Sequence, residues 1–346
     1  MLSSFSSNVV FAKARAMFGK HFTTKEYSDL LNCQSVSEVA LYLKSRTSYS
    51  DVLSGLNEND VHRGYLELLL KRKLFSELAS LCRFELSIGA HFSEYIVSSF
   101  EVEQIMHSLM FLVSGVTNEY LFSLPLFFNK HTKIDLVALS KMKNYDDFLI
   151  AIEKSKYFAL LKPFKPKDTE KIDLSDIENV LYSDLYTALF ENIEKYSHGT
   201  ARKELFDMLT SYIDMKNFVR IVRLKKYYKA SVKTIQKALL PCGSMSPSLL
   251  GALVEASNEK EVFDIMKNTH LGKKIGDFSC VYLDELTQRV RYSKSIKNIR
   301  FSRSAAVVLL SYAFLLDIEI SNIINIIEGV RYNVPSSEIK KMLVFH

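Results

Sequence analysis

Two stretches of this sequence, FVRIVRLKKYYKASVKTIQKAL (218–239) and IINIIEGVRYNVPSSEIKKML (323–343), repeat one pattern of apolar and basic residues. Tyr227 in the first stretch aligns with Tyr332 in the second. In both stretches apolar residues recur at spacings of three and four, which is typical of an amphipathic α-helix. The pair therefore predicts a helical unit that occurs more than once in the chain.

An acid followed three residues later by an amide opens each of these repeats, and a weaker third copy lies upstream. The copies are Glu101-x-x-Gln104, Asp214-x-x-Asn217 and Glu319-x-x-Asn322. Roughly 105 to 113 residues separate successive copies. These pairs could be polar contacts to a ligand or partner. They could equally be helix starts, where the acid caps free N–H groups and the amide bonds a neighbouring helix. Recurrence in three places favours the structural role.

Three further segments share a second pattern, which consists of a short apolar helix, a polar turn, an acid-opened second helix and a small or aromatic stop. They are residues 27–53, 136–161 and 249–275. The acid-opened starts are Ser37-Glu38-Val39, Asp146-Asp147-Phe148 and Lys260-Glu261-Val262. Acids at these places favour a helix start because they face the positive end of the helix dipole.

Composition agrees with long helices joined by few turns. Only 11 glycines and 6 prolines occur in 346 residues, and these residues punctuate sheets and ligand-binding loops. Helical spacing runs through residues 61–100, 175–212 and 281–316. Breaks are expected near Gly89 and at His198-Gly199, and LKPFKPKDTEK (161–171) is the clearest non-helical linker. We therefore predict an all-α fold.

The repeats predict a triplication of one helical module. The predicted borders are 8–133 for an N-terminal helix with module 1, 134–246 for module 2 and 247–346 for module 3. The basic, serine-rich N-terminus could pass for a transit peptide. We favour a first amphipathic helix whose buried face carries Val9, Ala12, Ala16 and Gly19.

Charge and cysteine content exclude several classes of protein. The net charge of +6 is too weak on its own to indicate nucleic-acid binding. The 4 cysteines lie far apart, so we expect buried reduced thiols, with neither a zinc site nor a disulfide framework. They are Cys33, Cys82, Cys242 and Cys280. No unbroken apolar run reaches the roughly 20 residues that a membrane span needs.

Local catalytic motifs are missing from the sequence. None of the 8 histidines forms H-E-x-x-H, and neither a Walker phosphate loop, G-x-G-x-x-G nor G-x-S-x-G occurs. We therefore expect a protein that is not an enzyme and has no cofactor, metal or small-molecule substrate.

Two basic runs contain no acid, namely residues 216–237 and 289–303. Such a run could be an electrostatic patch for an acidic partner helix, a membrane surface or nucleic acid. It could also be a solvated helix face. Tyr227, Tyr228 and Tyr292 lie among the charges, but the sheet on which stacking aromatics usually sit is missing, which weakens the nucleic-acid version.

Over nearly its whole length the chain resembles the C-type stalk component of the prokaryotic V/A-type rotary ATPases, a family whose members in the eukaryotic vacuolar enzyme are called the d component. The opening FAKARAMFGKHFTTKEYSDLL (11–31) is similar to the family's first helix. Residues 214–253 resemble its Asn-anchored, arginine-bearing helix and Leu-Pro-x-Gly turn, and residues 315–343 resemble its C-terminal element. Cys242 stands where the family turn tends to have a glycine.

This resemblance implies a non-catalytic coupling subunit, peripheral on the cytoplasmic face of a membrane. Three helical modules would form a funnel-shaped body between a membrane proteolipid c-ring and a central axle of D- and F-type subunits, for proton or sodium transport. No nucleic acid is expected as a partner. The predicted partner-binding residues are Arg220, Arg223, Lys225, Lys226 and Arg331. The alternative is a helical repeat adaptor that binds an acidic protein or nucleic acid through the basic helix face.

Overall fold

A computed structural model of the chain describes residues 2–57, 61–115, 124–167, 171–276, 278 and 282–345. All regular secondary structure in these ranges is helical, which confirms the predicted all-α class. The α-helices are α1 (Leu2–Phe18), α2 (Thr24–Leu31), α3 (Val36–Arg46), α4 (Ser50–Leu53), α5 (Arg63–Cys82), α6 (Gly89–Ser114), α7 (Leu136–Lys141), α8 (Tyr145–Ile152), α9 (Tyr157–Leu161), α10 (Leu174–Tyr196), α11 (Gly199–Tyr228), α12 (Val232–Lys237), α13 (Pro247–Glu255), α14 (Glu259–Lys267), α15 (His270–Ile275), α16 (Leu283–Phe301), α17 (Ala305–Arg331) and α18 (Ser336–Lys341). Short 3₁₀ turns lie at Leu126–Phe128 and Lys162–Phe164, the second within the predicted linker.

The two predicted breaks in the long helices are confirmed, and a third was missed. At the first, Glu85 accepts hydrogen bonds from the backbone N–H groups of Ile88 (2.6 Å) and Gly89 (2.8 Å) and so caps α6. The third break lies between α16 and α17, where no glycine or proline signals it. There Ser302 donates to Glu204 (2.6 Å), and Ser304 caps the start of α17. Serine side chains that bond locally end a helix as effectively as the usual breakers do.

Three cassettes of short helices hang on the long ones: cassette 1 (residues 24–53), cassette 2 (136–161) and cassette 3 (247–275). Their second helices start with one device. A cap side chain accepts from the backbone of an acid three residues on, and that acid accepts from the N–H just before the cap at 2.7–2.9 Å. The cap and acid pairs are Ser35 with Glu38, Asn144 with Asp147, and Asn258 with Glu261. The predicted acid-opened helices are confirmed.

Each cassette packs into its own part of the core. One apolar cluster runs from Phe75 through Phe148 to Leu181 around cassette 2, and another surrounds cassette 3. Cassette 1 belongs to a larger cluster that includes α17. The module borders at 133/134 and 246/247, the triplication as a whole and the funnel shape remain predictions.

The most buried element is α17, which packs against α16, α1 and α5. By length and hydropathy alone α6 and α17 could each cross a membrane, which corrects the expectation drawn from unbroken apolar runs. In α17, however, 83% of the apolar window is buried within the protein, so core packing accounts for its composition. Two helices of this kind are weak evidence for membrane insertion.

The N-terminal helix is confirmed, but its predicted buried face is wrong. Val10 and Ala14 are fully buried, whereas Ala12 and Ala16 face solvent. Small alanines allow either face to approach a neighbour closely, so the larger apolar neighbours decide which face is buried. Among the described cysteines all are free thiols; Cys82 is buried, Cys33 and Cys242 are half-buried, and Cys280 lies outside the described residues.

Candidate functional site

The acid of each acid-x-x-amide motif lies in the middle of a long helix, which corrects the predicted helix starts. Glu101, Asp214 and Glu319 are all buried and accept hydrogen bonds from loops that precede cassettes. Glu101 accepts from the hydroxyl of Thr132 before cassette 2 (2.6 Å). Asp214 accepts from the N–H of Ser244 before cassette 3 (2.9 Å). These acids therefore dock the cassettes.

Glu319 does the same for cassette 1. Its carboxylate accepts from the N–H of Phe22 (2.7 Å) and the hydroxyl of Tyr49 (2.8 Å), and His21 Nδ1 lies 3.0 Å from it. Buried polar groups are stable only when they are hydrogen-bonded, and these contacts fix the loop before α2 against α17.

The amides form two matching clamps. The side chain of Asn217 donates to the carbonyl of Leu240 (2.9 Å) and accepts from its N–H (2.8 Å). Asn322 makes the same pair of bonds with Val344, at 2.9 and 3.0 Å. Each clamp folds the chain back on a long helix just after its exposed end. Gln104 is also buried at the equivalent place in α6.

The turn that follows the first clamp depends on two unusual backbone positions. Cys242 adopts φ +68, a conformation that favours glycine, at the place where the resemblance predicts one. Gly243 approaches Asp214 so closely that an added Cβ would clash with the Oδ1 atom of that carboxylate. The turn therefore tolerates no side chain at Gly243.

We expect Gly243→Ala to lower the free energy of unfolding by about 2 kcal/mol, because overpacking would displace a buried carboxylate that holds cassette 3. Urea denaturation measures the change. The matched control is Gly251→Ala within α13, where the added methyl meets open space. There we expect stabilisation of roughly 0.5–1 kcal/mol from helix propensity. Equal effects of the two substitutions would contradict this account of the turn.

Three of the five predicted partner-binding residues are engaged within the chain. Arg220 donates to Asn179 (2.8 Å), to the carbonyl of Ala238 (2.7 Å) and to Glu178 (3.2 Å). Arg223 pairs with Asp284, and Lys225 donates to the carbonyls that end α13, including Val254 (2.6 Å). Burial lowers the pKa of Lys225. Reversing Arg220 would therefore disturb the fold, and a docking test needs other residues.

The other two predicted residues, Lys226 and Arg331, are exposed at the ends of α11 and α17. Each lies against the ring of the next residue, Tyr227 or Tyr332, at 5.3 and 5.4 Å from the ring centre. The second basic run is largely structural. Arg291 is buried against Asp317 (2.7 Å), and Lys294 binds Asp207 (2.6 Å).

Sequence reasoning missed a recess of charged side chains between α5 and α6. Lys71 pairs with Glu103 there, and their side chains remain 18% and 31% exposed, respectively. His107 lines the same cavity of about 350 Å³, whose wall also includes Arg331. No local spacing reveals this group, because Lys71 and Glu103 lie on different helices, 32 residues apart.

Electrostatics in this recess favour the charged pair. Burial acts to lower the pKa of Lys71, but the carboxylates of Glu103 and Glu67 outweigh it and raise that pKa. Burial likewise acts to raise the pKa of Glu103, yet Lys71 and His107 outweigh it and the pKa is lowered. The pKa of His107 is lowered, chiefly by burial and against the attraction of Glu103.

These shifts predict a loss of stability in acid. A carboxylate whose pKa is lowered by folding stabilises the fold above its ordinary value of 4.5, and this contribution disappears as pH falls through the folded pKa. Between pH 7 and the acid side of that window, we expect the native protein to lose on the order of 1 kcal/mol more than Glu103→Gln does. Urea unfolding at both pH values measures this. The exposed control, Glu153→Gln, should behave like the native protein, and equal losses in all three would contradict the prediction.

Comparison with known proteins extends over almost the whole chain. Residues 10–342 match the family model described as ATP synthase (C/AC39) subunit. The A-type ATP synthase C-type component of Pyrococcus furiosus is 22% identical over 262 residues, which cover 73% of this chain and 68% of that protein. The protein of the same name from Pyrococcus horikoshii is 26% identical over 216 residues, 60% of this chain and 54% of that protein. The chain belongs to the ATP synthase (C/AC39) subunit family.

Proposed function

We propose that this chain is a non-catalytic central-stalk subunit of a V/A-type rotary ATPase. It would couple a central axle of D- and F-type subunits to the membrane proteolipid ring and so serve proton or sodium transport, as a peripheral subunit on the cytoplasmic face. The observation that carries the proposal is the family match over residues 10–342. The predicted modules 8–133, 134–246 and 247–346 belong to this proposal, as does the funnel-shaped body.

The internal contacts support a mechanical role. A coupling part must transmit torque without deforming, and close-packed helices compress little. Buried carboxylates dock all three cassettes to long helices, and two amide clamps tie down the segments that follow α11 and α17. Polar bonds with fixed geometry resist sliding better than apolar contacts alone, because a displaced donor is left unpaired.

Isolation of the tagged chain from its source, followed by native mass measurement, tests the proposal. We expect an axle heterodimer and a membrane ring of small proteolipid subunits to be isolated with it. Recovery of the folded chain without either partner, under conditions that keep a rotary complex intact, would contradict the proposal.

Docking should depend on the exposed members of the predicted site. We expect Lys226→Glu with Arg331→Glu to weaken binding of the partner complex by about tenfold at low salt, because rim charges steer association. The matched control reverses the exposed Lys143 and Lys154 on cassette 2. Equal binding by both double variants would remove Lys226 and Arg331 from the interface.

The second candidate function is a helical adaptor that binds an acidic protein or nucleic acid. The observation that favours it is the acid-free surface at the end of α11, where Lys226 and its neighbours are exposed. Salt-sensitive retention on nucleic acid, with no axle or ring subunits isolated alongside, would support the adaptor over the stalk subunit.

A further inference from the structure

The end of α11 and the short helix α12 form a projecting surface, residues 226–237, which we call the basic tip. Its lysines are Lys226, Lys229, Lys233 and Lys237, and all four are exposed. Tyr227 and Tyr228 project beside them, with 65% and 75% of their surface exposed. The sequence has no acid between residues 216 and 237.

The backbone holds this tip in one shape. Lys229 adopts φ +46, which ends α11 in a left-handed turn, and the N–H of Ala230 donates to the carbonyl of Leu224 (3.1 Å). Ser231 then caps α12, and Ile235 is fully buried as its anchor. The exposed lysines and tyrosines are therefore displayed on ordered elements.

Neighbouring carboxylates do not neutralise the tip. Asp284 is taken by Arg223, and Glu178 by Arg220, both on the helix turns before the tip. Glu261 faces Lys225, whose ammonium group already bonds the end of α13. The positive charge of the tip thus comes from lysines without an internal acid beside them in the sequence run.

The chemistry of the tip matches a lipid headgroup layer. Its exposed cations are lysines, which act as hydrated point charges and need no fixed fork of acceptors, whereas both arginines of the run are paired internally. Exposed tyrosines suit an interface that is apolar on one side and wet on the other. Clustered lysines near a bilayer are attracted to anionic lipids by roughly 1 kcal/mol each.

We propose that the basic tip binds the headgroup layer of a bilayer that contains anionic lipids. This inference goes beyond the proposed function: it assigns a lipid surface to residues 226–237, and it holds or fails whether or not the chain docks to an axle or ring. A projecting surface requires no preformed pocket on a fluid bilayer, because lipids can diffuse to it.

Co-sedimentation of the purified full chain with vesicles tests the proposal. The vesicles contain phosphatidylcholine and phosphatidylserine at about seven to three, against phosphatidylcholine alone. We expect salt-sensitive binding to the mixed vesicles only. Lys226→Glu, Lys233→Glu and Lys237→Glu together should weaken it at least tenfold, and Tyr227→Ser with Tyr228→Ser should weaken it about threefold at unchanged charge.

The matched control reverses three exposed lysines on and beside cassette 2, Lys141, Lys143 and Lys154, so that net charge changes equally. It should bind like the native chain, and circular dichroism confirms that each variant is folded. Binding to neutral vesicles, no binding at all, or equal losses in both triple variants would overturn the proposal. So would tip-dependent retention on single-stranded DNA without vesicle binding, which would assign the tip to nucleic acid.

Discussion

Asp317→Ala is expected to lower the free energy of unfolding by about 3 kcal/mol, because it strands a buried guanidinium. Arg291 is only 8% exposed, and its Nη1 atom lies 2.7 Å from Oδ2 of Asp317. The rings of Phe314 and Tyr212 flank the guanidinium at 4.0 and 5.1 Å from its carbon. Asp317 is itself 39% exposed, so solvent can reach the vacated site, and we place the loss at the lower end for broken buried pairs.

Urea denaturation of a double-mutant cycle measures this pair. Arg291→Met keeps the packing on Phe314 and Tyr212 without a charge, so adding it to Asp317→Ala should recover much of the lost stability. The cycle separates the cost of an unpaired charge from the cost of lost contacts. An Asp317→Ala loss below about 1 kcal/mol, or no recovery in the double variant, would show that the pair matters little to stability.

Glu319→Ala is expected to cost about 3 kcal/mol, since it leaves two buried donors unpaired. The N–H of Phe22 and the hydroxyl of Tyr49 both donate to this carboxylate, and Tyr49 is fully buried. Neither donor gains water when the acceptor is removed. The loss should concentrate in cassette 1, so amide hydrogen exchange there should accelerate more than in cassettes 2 and 3.

Two variants control this experiment. Glu319→Gln keeps an acceptor oxygen and the side-chain volume, and should cost about half as much as the alanine. Tyr49→Phe removes one donor, so the cost of Glu319→Ala should be smaller in that background. Uniform acceleration of exchange across all three cassettes would contradict the local role of Glu319.

Much of the fold could be predicted because local chemistry decides it. The acid at Glu38 and its counterparts signalled helix starts, and the structure shows reciprocal caps at each of them. Gly89 and Gly199 marked true breaks. The break at Ser302 was missed because it depends on Glu204, 98 residues away, which accepts from the serine hydroxyl. Distant partners leave no mark on local spacing.

The candidate site was predictable only in part, for the same reason. A run of basic residues does not show which cations have internal partners: Arg220 and Lys225 do, whereas Lys226 is exposed. The acids at 101, 214 and 319 resemble helix caps in sequence, and they do accept backbone or hydroxyl donors, but from loops elsewhere in the chain. The Lys71–Glu103 pair required the packing of two helices.

The bond between Phe22 and Glu319 joins residues 297 positions apart. A ribosome releases cassette 1 long before it synthesises α17, so during translation the cassette has no acceptor for Phe22 and no surface for its apolar side chains. Contacts this distant in sequence form late and leave apolar surface exposed meanwhile. Nascent chains of this protein should therefore need a holding chaperone until the last helix emerges, and C-terminal truncations should aggregate.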